Sequence, residues 1–84
     1  MSWSLKIKQS AAKALAKIPQ ADRLRLIEAI DKLKTHPAAG SVLKGEFYGL
    51  RRVRVGDYRI VYELRNEELV ILVVRVAHRR EVYR

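Results

Sequence analysis

The stretch L-R-R-V-R-V-G-D-Y-R-I-V-Y, residues 50–62, decides the fold because it has the pattern of a β-hairpin. Successive side chains of a strand point to opposite faces, so this spacing separates the valines of the first run from its arginines. Gly56-Asp57 between the two runs is typical of a two-residue turn, since glycine readily takes the positive φ of a type II′ turn. The stretch therefore predicts a hairpin with a hydrophobic face and a basic face, the latter carrying Arg52, Arg54 and Arg59.

Upstream of the hairpin, the sequence predicts one strand and two helices. Strict alternation over residues 2–8 predicts a strand whose inward side chains are Trp3, Leu5 and Ile7. An alanine-rich segment after Ser10, a candidate N-cap, predicts a short helix that ends before Pro19. The second helix is predicted over residues 20–35, where apolar side chains recur at helical spacing at Leu26, Ile27, Ile30 and Leu33.

The remaining segments predict the other strands and their connections. Residues 38–46 predict a loop, the hairpin strands are predicted over about 47–55 and 57–65, and a last strand is predicted over 69–76. That last strand is apolar at both parities, which is typical of a central strand. The order β-α-α-β-β-β predicts an α+β fold, with a helical hairpin packed on one face of a small, mostly antiparallel, four-stranded sheet. We expect residues 1–84 to form a single domain, because this length suits one core.

The formal net charge of +9 on 84 residues favours a polyanionic partner, meaning nucleic acid, an anionic membrane surface or an acidic protein. Lysine dominates the basic residues of the first half, whereas from Arg51 onward the chain has arginine and no lysine. Because the guanidinium fork matches phosphate geometry, the C-terminal half is predicted to bind phosphate. The absence of cysteine suits a reducing compartment, and no apolar run is long enough to span a bilayer, so we expect a cytoplasmic protein.

Two further motifs flank the hairpin, L-K-G at 43–45 and R-V-A-H-R-R-E-V-Y-R at 75–84, and the three segments together resemble the RelE/ParE toxin superfamily. The resemblance implies a small bacterial or archaeal toxin that pairs with a cognate antitoxin protein. The RelE branch contains mRNA interferases that cut mRNA in the ribosomal A site, and the ParE branch contains DNA gyrase poisons. Similarity of fold alone does not choose between the two branches.

The resemblance to RelE-like enzymes also implies a set of catalytic residues. Arg52 and Arg54 match the basic residues of the strand before the turn, and Arg59 matches an arginine of the strand after it. Arg79 matches an arginine that follows the last strand, and Tyr83 matches a tyrosine near the C-terminus. Other basic residues are expected to bind RNA on the ribosome, where contacts with 16S rRNA are also expected: Lys44, Arg51 and Arg80.

Cleavage of RNA without a metal needs a base for the 2′-OH, cations for the charge on the phosphate and an acid for the departing 5′-oxygen. Arginine suits only the second role, because it stays protonated. The candidate proton carriers are therefore Tyr83 and His78, with Glu81 third. Tyr83 could instead be a hydrophobic plug or a base-stacking platform, and His78 could be an exposed residue of the tail past the last strand. No metal or other cofactor is expected, because no His, Asp or Glu residues show ligand spacing.

These observations favour a ribosome-dependent mRNA endonuclease, the toxin of a type II toxin–antitoxin module. The first alternative is a ParE-like inhibitor of DNA gyrase without nuclease activity. The second is an RNA-binding module without catalysis, whose RNA affinity would fall steeply with salt.

Overall fold

Two helices cover one face of a mixed five-stranded sheet in the computed structural model, which describes residues 3–45 and 49–78. The elements in chain order are β1 (Ser4–Ile7), α1 (Gln9–Ala16), α2 (Gln20–Lys32), β2 (Ser41–Val42), β3 (Leu50–Val55), β4 (Tyr58–Arg65) and β5 (Val70–His78). The α+β fold and the helical layer on one face of the sheet are confirmed. The predicted strand count is low by one, because β2 lies inside the predicted loop.

The strands lie in the order β1-β5-β4-β3-β2, with β1 parallel to β5 and every other neighbouring pair antiparallel. The central position of β5 agrees with its apolar sequence. The predicted hairpin forms β3 and β4, and Gly56 in its turn has φ 59°, as a type II′ turn requires. The short β2 pairs with Arg51 and Arg52 at the outer edge of β3. Two residues cannot show an alternating pattern, so β2 carries no strand signal of its own.

The helix boundaries differ from the predicted ones at both ends. The N-cap of α1 is Lys8, so Ser10 lies within the first turn and caps nothing. The second helix ends at Lys32 rather than near residue 35, because the amides of the next residues turn back in short i→i−3 hydrogen bonds. Neither helix in the described part of the chain is long and apolar enough to span a membrane.

The main core lies between the helices and the sheet. Its most buried side chains come from α2, β4 and β5: Leu26, Ile60, Tyr62, Ile71 and Val73. Trp3 and Leu5 pack against this cluster as predicted, but Ile7 and Ile27 are 37% and 45% exposed. A second, smaller cluster lies on the open face of the sheet and consists of Leu43, Val61 and Ala77, flanked by Leu50 and Val74.

Candidate nucleic-acid interface

Three arginines of the hairpin share the open face of the sheet, opposite the helices. Arg54 is the cross-strand partner of Arg59, and Arg52 is the partner of Val61, which belongs to the open-face cluster. Because directly paired residues of antiparallel strands project to the same face, Arg52, Arg54 and Arg59 lie together. We call these three residues the arginine face. The alternation of the sequence predicts this grouping, and the register of β3 and β4 produces it.

The pair of Arg54 and Arg59 is unfavourable for stability. The Leu43 amide donates to the Leu50 carbonyl at 2.9 Å, so the even-numbered residues of β3 direct their backbone groups toward β2. The pair is therefore a non-hydrogen-bonded pair with respect to β4, the kind in which side chains approach most closely. Like charges directly opposite each other destabilise a sheet. In residues 3–45 and 49–78 neither arginine has an ion pair, and the four salt bridges found there involve other cations: Arg25, Lys32, Lys34 and Arg65.

Arg59 also carries an unsatisfied donor. Its Nε atom is buried and has no hydrogen-bond partner among the described residues. Buried polar groups are nearly always paired, and leaving a donor unpaired costs about 1–3 kcal/mol or more when it is charged. The adjacent side chains are Arg54 and Ala77, and neither offers an acceptor. An anionic oxygen arriving from outside the chain would satisfy this donor, so the arginine face is suited to a phosphate.

Arg51 lies on the other side of the same strand and has a structural contact. Its cross-strand partner is Tyr62, which faces the helices. The Arg51 Nη1 atom donates to the carbonyl oxygens of Gly40 at 3.0 Å and Ala38 at 3.4 Å. The structure therefore does not bring Arg51 to the arginine face. Sequence reasoning missed this contact because Arg51 and Gly40 are separated by the whole β2 region.

Tyr62, on the helix-covered face, holds the segment 37–40 that Arg51 also contacts. Its hydroxyl donates to the Pro37 carbonyl at 2.7 Å and accepts a hydrogen bond from the Gly40 amide at 2.9 Å. A Cβ atom at Gly40 would lie 2.7 Å from this hydroxyl and 2.9 Å from the Arg52 carbonyl oxygen, so the position has room only for glycine. Burial raises the pKa of Tyr62, while the Gly40 hydrogen bond and the Arg51 charge oppose that shift. Tyr62 and Arg51 together fasten residues 37–40 to the sheet.

His78 is not at the arginine face. The expectation that it follows the last strand is wrong, because it is the final residue of β5. It pairs with Tyr58, whose ring lies 5.6 Å away in an edge-to-face arrangement and packs on the main core. A β-bulge in β5 explains why His78 lies on the helix-covered face of the sheet. Tyr62 pairs with Val73 but the preceding Val61 pairs with Arg75, so one extra residue in β5 reverses the faces beyond it.

The remaining predicted site residues lie just after β2 or outside the described residues. Lys44 is exposed and follows Leu43, which packs on the open face. Arg79, Arg80 and Tyr83 lie outside the described residues, as does Glu81. The described part of the chain contains no group of three His, Asp or Glu side chains arranged to hold a metal ion.

Comparison with known proteins adds a family to this geometry. Residues 5–83 match the family model of the ParE toxin of type II toxin-antitoxin systems, parDE. Toxin RelG of Mycobacterium tuberculosis (strain ATCC 25618 / H37Rv) is 29% identical over 86 residues, which cover 100% of this chain and 99% of the relative.

Solved structures agree with this match. The toxin–antitoxin complex RelBE2 of Mycobacterium tuberculosis contains a chain with a TM-score of 0.86 and 25% identity, covering 93% of this chain and 99% of that one. The archaeal RelE–RelB complex of Pyrococcus horikoshii OT3 contains a chain with a TM-score of 0.79 and 32% identity, covering 98% of this chain and 100% of that one.

Proposed function

The chain belongs to the RelE/ParE superfamily of toxins of type II toxin–antitoxin systems, and on that premise we propose that it is a ribosome-dependent mRNA endonuclease. It would cut mRNA in the ribosomal A site in the cytoplasm and so inhibit translation. The observation that carries this proposal is the arginine face, and in particular the buried Nε of Arg59, which has no hydrogen-bond partner among the described residues. Because buried donors are nearly always paired, this Nε is suited to an oxygen of a bound anion.

The proposed reaction is an attack of a ribose 2′-oxygen on the adjacent phosphorus. The O2′–P bond forms, the P–O5′ bond breaks, the 2′-OH gives up its proton to a base, and the departing 5′-oxygen receives a proton. Arg52, Arg54 and Arg59 would bind the non-bridging oxygens, where negative charge increases in the transition state. Their guanidinium groups stay protonated, so they stabilise charge and transfer no proton.

Proton transfer is assigned to the C-terminal segment. Tyr83 is the proposed proton carrier and Arg79 a further phosphate contact, both on the strength of the family resemblance. His78 projects toward Tyr58 on the helix-covered side of the sheet, so the proposal gives it no part in proton transfer. Among the residues proposed for RNA binding, Lys44 and Arg80 are retained. Arg51 is retained only as a support for the β2 segment, because its guanidinium bonds to backbone carbonyls.

The proposed protein partner is a cognate antitoxin. Similar toxin chains occur in complexes with RelB antitoxins from Mycobacterium tuberculosis and Pyrococcus horikoshii. A basic face next to the apolar cluster Leu43, Val61 and Ala77 suits an acidic segment with apolar side chains that folds on binding.

The test is primer extension on a reporter mRNA after induction of the protein, together with cleavage of ribosome-bound mRNA by the purified protein. We expect in-frame cuts that depend on ribosomes. Arg59→Ala should lower the cleavage rate by roughly 10²–10³-fold, the loss typical of one transition-state donor. Arg25→Ala is the matched control, because it removes the same charge from α2, on the other side of the sheet. Wild-type cleavage by Arg59→Ala would contradict the site assignment.

A ParE-like inhibitor of DNA gyrase is the second candidate, and the match of residues 5–83 to the ParE toxin model favours it. It predicts intact mRNA and an accumulation of cleaved DNA–gyrase complexes after induction. An RNA-binding module without catalysis predicts neither product. Measuring mRNA cuts and gyrase complexes in the same induced cells separates the three functions.

A further inference from the structure

A groove runs along the outer edge of β3, beside the arginine face. Its volume is about 500 Å³, and it is lined by Ala39, Ser41, Arg52, Val53 and Arg54. Volumes of roughly 300–1,000 Å³ are typical of small-molecule sites. Two of the five lining residues are cationic and none is acidic, so the groove suits part of an anionic ligand. It shares Arg52 and Arg54 with the arginine face, and a ligand held there would continue into the groove.

The edge of β3 offers the groove one backbone donor and one backbone acceptor. Since Leu43 and Leu50 form a hydrogen-bonded pair, the alternating pattern of an antiparallel ladder directs the N–H and C=O of Arg52 and Arg54 to the same edge. β2 begins at Ser41, which pairs with Arg52. The upstream Ala39 amide turns away and donates to the His36 carbonyl. The Arg54 N–H and C=O therefore face the groove rather than a strand among the described residues.

The opposite wall of the groove is held in place. Residues 37–40 are fastened by the two hydrogen bonds of the Tyr62 hydroxyl and by the Arg51 guanidinium. This segment includes Ala39 and is followed directly by Ser41. The close contact of Gly40 with Tyr62 and the Arg52 backbone leaves this wall little room to move. A pre-formed wall lowers the ordering cost of binding and suits recognition of one ligand shape.

An added peptide strand does not fit this edge. Strand addition uses a row of backbone groups on alternate residues, as in a β-ladder. Here β2 already covers Arg51 and Arg52, and the Gly56-Asp57 turn follows Val55. Only Arg54 is left to pair. One donor beside one acceptor instead complements the edge of a nucleobase, which presents the same two groups side by side.

We propose that the groove at the edge of β3 binds one nucleotide of single-stranded RNA, next to the phosphate on the arginine face. The Arg54 backbone would read the base edge, and Ser41, whose cross-strand partner is Arg52, would contact the ribose or the base. This inference rests on the proposed endonuclease function and adds to it a determinant of sequence preference. Because the Arg54 N–H and C=O have fixed positions, readout by them predicts unequal cutting of codons that differ in the base at that position.

The experiment compares cut sites on ribosome-bound mRNAs that carry a randomised A-site codon. Ala39→Leu fills the groove from an exposed wall position, and Ala38→Leu makes the same change one residue earlier, outside the groove. We expect Ala39→Leu to cut preferred codons roughly tenfold more slowly and to lose part of the codon preference, as after the loss of one base contact. Ala38→Leu should behave as the wild type. Ser41→Val repeats the test with a residue that favours strands, and a smaller loss is expected.

Each outcome decides between possibilities. If Ala39→Leu and Ser41→Val cut with wild-type rate and preference, the groove inference is overturned while the endonuclease function stands, and the groove is left to a protein partner. If the wild type cuts no ribosome-bound mRNA, the proposed function fails and the inference fails with it. Circular dichroism and the thermal midpoint of both leucine variants check that the fold is intact.

Discussion

The two faces of the β3–β4 hairpin are made by alternate residues of the same strands, yet their environments are opposite. On the helix-covered face Ile60 and Tyr62 are 0% exposed and belong to the main core. On the open face Arg54 and Arg59 lie side by side. Within residues 3–45 and 49–78 neither has an ion pair, and the buried Nε of Arg59 has no hydrogen-bond partner. One face gains stability by excluding water, and the other keeps like charges together at a cost. Along these two strands, one set of alternate residues stabilises the fold and the other set is proposed to bind the substrate.

The largest expected effect comes from neighbouring residues on opposite faces. Ile60→Ala removes a fully buried side chain and should lower the free energy of unfolding by about 2–5 kcal/mol. Arg59→Ala, one residue away, should change it by less than about 1 kcal/mol, because the loss of packing is offset by relief of repulsion with Arg54. Urea unfolding followed by circular dichroism measures both. A large destabilisation by Arg59→Ala would mean that the arginine face is itself part of the core.

The next effect concerns the segment that fastens β2 to the sheet. Tyr62→Phe keeps the ring but leaves the buried Gly40 amide without its acceptor, which should cost about 1–3 kcal/mol. We also expect faster hydrogen exchange at the Gly40 amide, while the amides of β4 and β5 stay protected. Unchanged exchange at Gly40 would show that another group replaces the hydroxyl.

The pH dependence of the same pair of proteins provides a control. Because burial raises the pKa of Tyr62 in the folded state, the unfolded chain loses this proton first as the pH rises past its ordinary value of 10.0. The stability advantage of the wild type over Tyr62→Phe should therefore be complete below that pH and decrease above it. Comparing the two proteins cancels the lysines, which titrate in the same range. An advantage that stays constant above pH 10 would contradict the assignment to this hydroxyl.

The smallest expected effect is a gain. Arg54→Gln removes the like charge opposite Arg59 and should stabilise the protein by about 0.2–1 kcal/mol. The gain should shrink as salt is added, because screening already weakens the repulsion. Thermal midpoints at low and high salt provide the measurement. Lys13→Gln on α1 is the control for net charge, because Lys13 is exposed and forms no salt bridge among the described residues. A stability loss would imply that Arg54 has a favourable partner on the open face.

Much of the fold follows from local patterns. The alternation around Gly56-Asp57 predicts the hairpin, its turn and the shared face of Arg52, Arg54 and Arg59, because a period of two and the conformational freedom of glycine act within a few residues. The amphipathic helices and the apolar β5 follow for the same reason. β2 does not, because its two residues become a strand only when Tyr62 and Arg51 hold the preceding segment against β3.

In the candidate site, too, some features follow from the sequence and others from the tertiary structure. By itself the sequence determined which side chains alternate on the hairpin, and therefore which arginines share one face. The predicted two-residue turn at Gly56-Asp57 also fixes the register that sets Arg54 opposite Arg59. Only the tertiary structure decided the bulge in β5 that turns His78 toward Tyr58 and away from the arginine face. The physical reason is that a bulge depends on how β5 pairs with β4 along its length, and one extra residue there exchanges the two faces of the sheet beyond it.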